Sequence, residues 1–118
     1  MKLSKKTRAR RKSVKALDAD ARQKVFERDG FKCVRCGKTE GIQWCHVITR
    51  GRTALRWLPE NALTLCAGHH EFWWHKHPLE SGPWFEHTFP ERYALLMGLK
   101  DKPCELTAKD LREMAEQL

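Results

Sequence analysis

The chain has 118 residues, with 23 lysines and arginines against 15 aspartates and glutamates, for a formal net charge of +8. That length suits one domain and excludes two independent cores, and the lack of a twenty-residue apolar run or a signal-like start argues for a soluble, cytoplasmic chain with no membrane partner. Five cysteines in such a setting point to metal ligands sooner than to disulfides.

The charge is uneven. Met1 to Lys15 carries eight of the cations and no acid, leaving fifteen basic against fifteen acidic residues in the rest. Such a segment implies a polyanionic partner, nucleic acid first, with Arg8, Arg10 and Arg11 among the contacts; the alternative is a solubilising tail. Residues 1 to 16 lack apolar periodicity and repel one another, so they are expected to be disordered when free. Asp18 or Asp20 is expected to cap a helix running to about Arg28, with Ala21, Val25 and Phe26 on one side and Asp29-Gly30 closing it. Cys33-x-x-Cys36 follows as a knuckle, where Gly37 lets the chain turn.

Residues 42 to 48 are rich in Ile, Trp and Val and predict a half-buried strand. Thr49 to Arg52 would connect it to a returning strand over Ala54 to Leu58, broken by Pro59-Glu60-Asn61. A helix is predicted from Ala62–Leu65 to about His75, with little continuation past Pro78. Gly82-Pro83 reads as a turn, followed by helices from about Glu91 to Leu99 and from Thr107 to Leu118. Thr107 and Asp110 form a capping-box-like pair at the start of the last helix.

Zinc takes four nitrogen or sulfur ligands in a tetrahedron, and two short-spaced pairs supply them with little chain entropy lost. Cys33 and Cys36 are one pair. Cys66 and His69, one turn apart on the predicted helix, are the other, with His75 and His77 as competing donors. Cys104 has no partner in sequence and reads as apolar filler. Phe72, Trp73, Trp74, Trp84 and Phe85 suit core packing better than base stacking.

Within residues 42 to 77, His46 lies on the first predicted strand, Asn61 fifteen residues on, and His70 nine beyond that. With the CxxC before and Cys66-x-x-His69 within, this resembles the HNH nuclease motif, in the zinc-stapled branch common among phage and bacterial proteins. The resemblance covers roughly residues 21 to 80. It implies a small α+β fold: a zinc-stapled ββα-metal core at 17–80, a basic arm at 1–16, and a helical extension at 81–118 packed on the same domain. The implied activity is metal-dependent DNA hydrolysis leaving a 5′ phosphate and a 3′ hydroxyl.

In that reading His46 is the general base, since a neutral imidazole can take a proton from water near neutral pH. Asn61 fixes the loop before the helix, and His70 holds a catalytic divalent ion: magnesium, manganese, nickel or zinc. The family commonly places an acid or a histidine just before the base. Here Cys45 stands there, and it either binds a softer catalytic ion or faces the core. Arg50, Arg52 and Arg56, on the predicted hairpin, would hold phosphates or else form a solvated loop. The implied setting is a host cytoplasm, with DNA and phage DNA-processing or packaging proteins as partners, and a monomer or weak dimer. A rival reading, favoured by Cys45, is a zinc-stabilised DNA-binding or assembly module without catalysis.

Overall fold

A computed structural model describes residues 3–49, 53–102 and 105–118, and of residues 53 and 54 the backbone alone. The first helix, α1 (Lys5–Arg28), is 24 residues long and starts at Ser4, whose hydroxyl accepts the Thr7 N–H at 3.1 Å. Ser13, Leu17, Ala21 and Val25 are its buried residues, recurring every four positions on one side. Gly30 (φ +71°) and Phe31 (φ +56°) end it in left-handed geometry.

The basic segment is therefore not the disordered arm expected of it. From Lys5 onward it is the first half of α1, and Asp18 lies in mid-helix instead of capping. The reason is tertiary. The last helix, α5 (Ala108–Glu116), packs along α1 and buries Leu111 completely. Burial of one face stabilises a helix that local charge repulsion alone would disfavour. The cations at positions 5 to 12 and Lys15 all remain exposed.

The sheet has two antiparallel strands among the described residues, β1 (Ile42–His46) and β2 (Ala62–Cys66). Their register pairs Ile42 with Cys66 and His46 with Ala62. The run expected to return as a strand instead contains a short helix, α2 (Thr53–Arg56), followed by a 3-10 turn at Pro59–Asn61. The run ALTLC, expected to begin a helix, is the returning strand. A short apolar run buried on both faces carries no periodicity that separates strand from helix, and all five residues of β2 are buried. Its outer edge is not left open: Thr64 N–H donates to Asp29 Oδ2 (2.9 Å) and Thr64 O accepts the Val34 N–H (3.0 Å).

After β2 the chain turns helical at once, with a π-helical segment at His69–Trp74 in place of a regular α-helix. Helix α3 (Pro78–Thr88) runs through Gly82 and Pro83, where a turn was expected, and α4 (Pro90–Leu99) follows. Pro78 suits a helix's first turn because its missing N–H would have no partner there. Burial of Ser81 and Phe85 then outweighs the break at Pro83. Phe85 and Leu96 join Cys33, Cys45, Leu63, Leu65 and Cys66 in the core. Trp74 and Trp84 pack against that core, whereas Phe72 is 61% exposed beneath the Lys76 ammonium. Thr107 and Asp110 form the expected reciprocal cap of α5, at 3.1 and 2.9 Å. The result is a small α+β protein with a two-stranded sheet and a Cys/His cluster at one end of it.

Candidate functional site

Two short strands bring two distinct constellations to opposite ends of the sheet. At the end where Ile42 faces Cys66 lie Cys33, Cys36, Cys66 and His69, whose ligand atoms all fall within 4.8 Å of one another. The pairs are split between elements in a way the sequence did not suggest. Cys66 closes β2 and His69 sits in the helical turn after it, so the two are not on one helix.

The Cys36 and Cys66 sulfurs are 3.9 Å apart, and His69 Nδ1 is 3.3 Å from Cys66 Sγ and 3.6 Å from Cys33 Sγ. A tetrahedral zinc with bonds of about 2.3 Å to sulfur and about 2.0 Å to nitrogen sets its ligands roughly 3.5–3.8 Å apart. The group is thus close enough to bind a metal ion, and its donor set and spacing are consistent with structural zinc. Burial pushes the Cys33 thiol up, but backbone N–H groups of Cys66, Cys36 and Arg35 outweigh it and leave the group below its ordinary value. The Lys38 N–H lowers Cys36, yet desolvation and the neighbouring Cys33 and Cys66 sulfurs raise it on balance. The Cys36 thiol, held up by its neighbouring sulfurs, is a group whose ionisation a bound cation would favour. Arg35, between the first two cysteines, lies over Trp73 and Trp84 at 4.8 and 5.5 Å from the ring centroids, pinning the knuckle to the helices.

At the other end, β1 finishes on His46, 8% exposed. Its Nε2 lies 2.9 Å from the Arg56 carbonyl. A carbonyl only accepts, so Nε2 carries a proton, and in the neutral form of the ring the lone pair is on Nδ1. Asn61, fully buried, extends the ladder by one pair through its carbonyl, which accepts the Val47 N–H at 2.9 Å. Its side chain then continues where the backbone ladder stops. Oδ1 accepts the Ile48 N–H (2.8 Å), and Nδ2 donates to Ile48 O and Leu55 O (3.0 Å each). One carboxamide thereby ties the exit of β1, the loop helix α2 and the entry of β2 together. Arg28 reinforces the entry, donating to Pro59 O (2.8 Å) and Ala62 O (2.7 Å) while Asp29 holds its guanidinium at two points.

His70 lies outside the four-residue cluster, on the helical turn beside β1. Its Nδ1 donates to Gln43 Oε1 at 2.7 Å, which leaves Nε2 as the nitrogen able to bind a metal. Burial first, and then the positive field of His75, hold His70 below the ordinary imidazole range despite Glu71, favouring the neutral form. His75 stacks near it, with ring centroids 4.7 Å apart. The π geometry accounts for that: the His75 N–H reaches the His70 carbonyl at 3.3 Å, so residues five apart share a face. The spacing would not place them together on a regular α-helix.

Cys45 is fully buried in the core with Leu63 and Leu65, and burial drives its thiol far above the ordinary range. Of the two placements open to it, this is the core-facing one. Arg56, expected to meet phosphates, has its guanidinium engaged by Asp18, which raises it further. Arg50, Arg52 and Cys104 lie outside the described residues. Arg8, Arg10 and Arg11 stand exposed on α1. Sequence reasoning missed Gln43 and Arg28, and gave different roles to Asp18 and to His75, a competing zinc donor there but a neighbour of His70 here. Each acts through a contact between segments far apart in the chain, or through the π turn, and none leaves a local signal.

No family model matches the chain, no curated protein is similar to it, and no solved structure matches it. Among the described residues, no helix is long and apolar enough to cross a membrane.

Proposed function

We propose that the protein is a metal-dependent DNA endonuclease of the HNH type. The observation that carries the reading is the junction of His46 and Asn61 at one end of a strand–strand–helix unit. There the histidine closes the first strand with Nε2 anchored on a carbonyl, and the asparagine locks the intervening loop with three side-chain hydrogen bonds. In this reading His46 Nδ1 accepts a proton from the water that attacks phosphorus. Asn61 keeps the loop closed against β1 by holding Ile48 and Leu55. His70, kept neutral and oriented by Gln43, would hold a divalent ion, with His75 beside it. Such an ion supplies charge stabilisation at the phosphate and the leaving oxygen. Cys33, Cys36, Cys66 and His69 would hold zinc in a purely structural role. The exposed cations of α1, Arg8, Arg10 and Arg11 among them, would bind phosphates without reading sequence.

The second reading, a zinc-stabilised DNA-binding module without catalysis, draws on the burial of Cys45, which leaves no hard ligand just before His46. Plasmid relaxation with magnesium, manganese, nickel or zinc separates the two. The nuclease reading expects nicking or cutting by the wild-type protein. It also expects the loss of at least about a hundredfold in rate for His46→Ala, in line with removal of a general base, with DNA binding and zinc content retained. DNA binding without cleavage in any metal supports the second reading.

A further inference from the structure

Arg56 is held by its side chain and used by its main chain. The Asp18 carboxylate, on α1, accepts from Arg56 Nε at 2.9 Å and from Arg56 Nη2 at 2.7 Å, a two-point fork. Asp18 Oδ1 also accepts the Trp57 indole N–H at 2.8 Å, so two successive loop residues converge on one carboxylate. The pair is well shielded, with side-chain exposures of 24% for Arg56 and 17% for Asp18. The carbonyl of that same Arg56 accepts the proton of His46 Nε2. Helix α2 has only four residues and cannot fix the direction of its last carbonyl by its own hydrogen bonds. Asn61 holds the loop one residue earlier, at Leu55 O. Among the described residues, the side-chain contacts that bear directly on the Arg56 carbonyl's own residue and the next are those of Asp18 to Arg56 and Trp57.

We propose that Asp18 is a positioning residue for His46. By fixing Arg56 and Trp57 it aims the carbonyl that holds the imidazole as the Nε2–H tautomer with its lone pair on Nδ1. Asp18 touches neither substrate nor the reacting atoms; it acts through Arg56. Since Asp18 lies one turn beyond the cationic stretch of α1, the helix that carries the exposed positive charges also sets the orientation of the histidine. The kinetic part of this inference rests on the reading of His46 as general base, whereas the tautomer part does not.

The test uses the full-length protein with its native zinc content and compares wild type with Asp18→Asn, Asp18→Glu and Arg56→Lys. The first readout is the tautomer of His46, from long-range nitrogen–proton NMR correlations of its ring. The wild type is expected to show the Nε2–H form, Asp18→Asn and Arg56→Lys a mixture with the Nδ1–H form, and Asp18→Glu a partial return. The second readout is plasmid cleavage, expected to fall at least about tenfold in kcat for Asp18→Asn, a part of the 10²–10⁴ that general-base catalysis contributes, with KM changed less than about twofold. If Asp18→Asn fails to fold, Arg56→Lys, which keeps the charge but loses the fork, carries the same readouts. An unchanged tautomer in a folded variant overturns the proposal. If the wild type cleaves no DNA, the nuclease reading fails while the tautomer comparison still decides the role of Asp18.

Discussion

The two ends of the β1–β2 ladder are held by different physics. At the Cys66 end, three thiols and an imidazole from two stretches of chain converge on a point, where a bound ion would lock them more firmly than the Val34 hydrogen bond and the Arg35 stacking do. At the His46 end the lock is a web of hydrogen bonds: Asn61 to Ile48 and Leu55, Arg28 to Pro59 and Ala62, and Asp18 to Arg56 and Trp57. The ends lie about 13 Å apart along a five-residue strand. The first arrangement is all-or-none, because a ligand set missing one member loses most of its affinity. The second is graded, because each bond contributes about 0.5–1.5 kcal/mol when made and about 1–3 kcal/mol when a buried partner is orphaned. A protein of 118 residues has a limited core, so a metal staple at one end would free the other to carry polar groups.

The largest expected effect is at the cluster. Removing the metal with a strong chelator, or substituting Cys66→Ser, is expected to unfold the protein or lower its stability severely, since binding energy at such a site is folding energy. Metal analysis of the wild type should give about one zinc per chain, and circular dichroism with urea titration reads the loss. A metal-free protein with an unchanged urea midpoint would erase the distinction between the two ends.

A smaller, graded loss is expected at the other end. Asn61→Ala leaves the half-buried Ile48 N–H and carbonyl and the buried Leu55 carbonyl without their partner, costing on the order of 3–4 kcal/mol in urea unfolding while leaving zinc stoichiometry intact. Asn61→Asp should be worse than alanine, because it points a carboxylate at two carbonyl oxygens that need a donor. Equal stabilities for the two variants would show that the carboxamide is not the lock.

The smallest effect is expected at Cys45, which sits on β1 between the ends. As core filler, its replacement by alanine should cost about 1 kcal/mol. Neither zinc content nor the metal preference of any cleavage should change. A shift in metal preference would make Cys45 a ligand and join the two ends into one metal-bearing unit.

The candidate metal ligands can be read without the fold. Cys33, Cys36, Cys66 and His69 were legible because zinc demands particular atoms at short spacings, and such demands survive errors in secondary structure. Here β2 was expected as a helix, yet the pair Cys66 and His69 still reaches the other two cysteines, since three residues span the gap either way. The Thr107–Asp110 cap was legible for the same local reason. The remaining features depend on contacts between distant segments. The fate of the basic segment depends on α5, whose Leu111 arrives from the far end of the chain. The choice between strand and helix for ALTLC depends on β1, α1 and the core closing over both its faces. The roles of Asp18 and Arg56 depend on a pairing across 38 residues. His75 reaches His70 only because the turn is π-helical. Local patterns encode what neighbouring residues can do together. Which distant carboxylate meets which guanidinium is settled when apolar surfaces leave water, and a single chain read in order carries no trace of it.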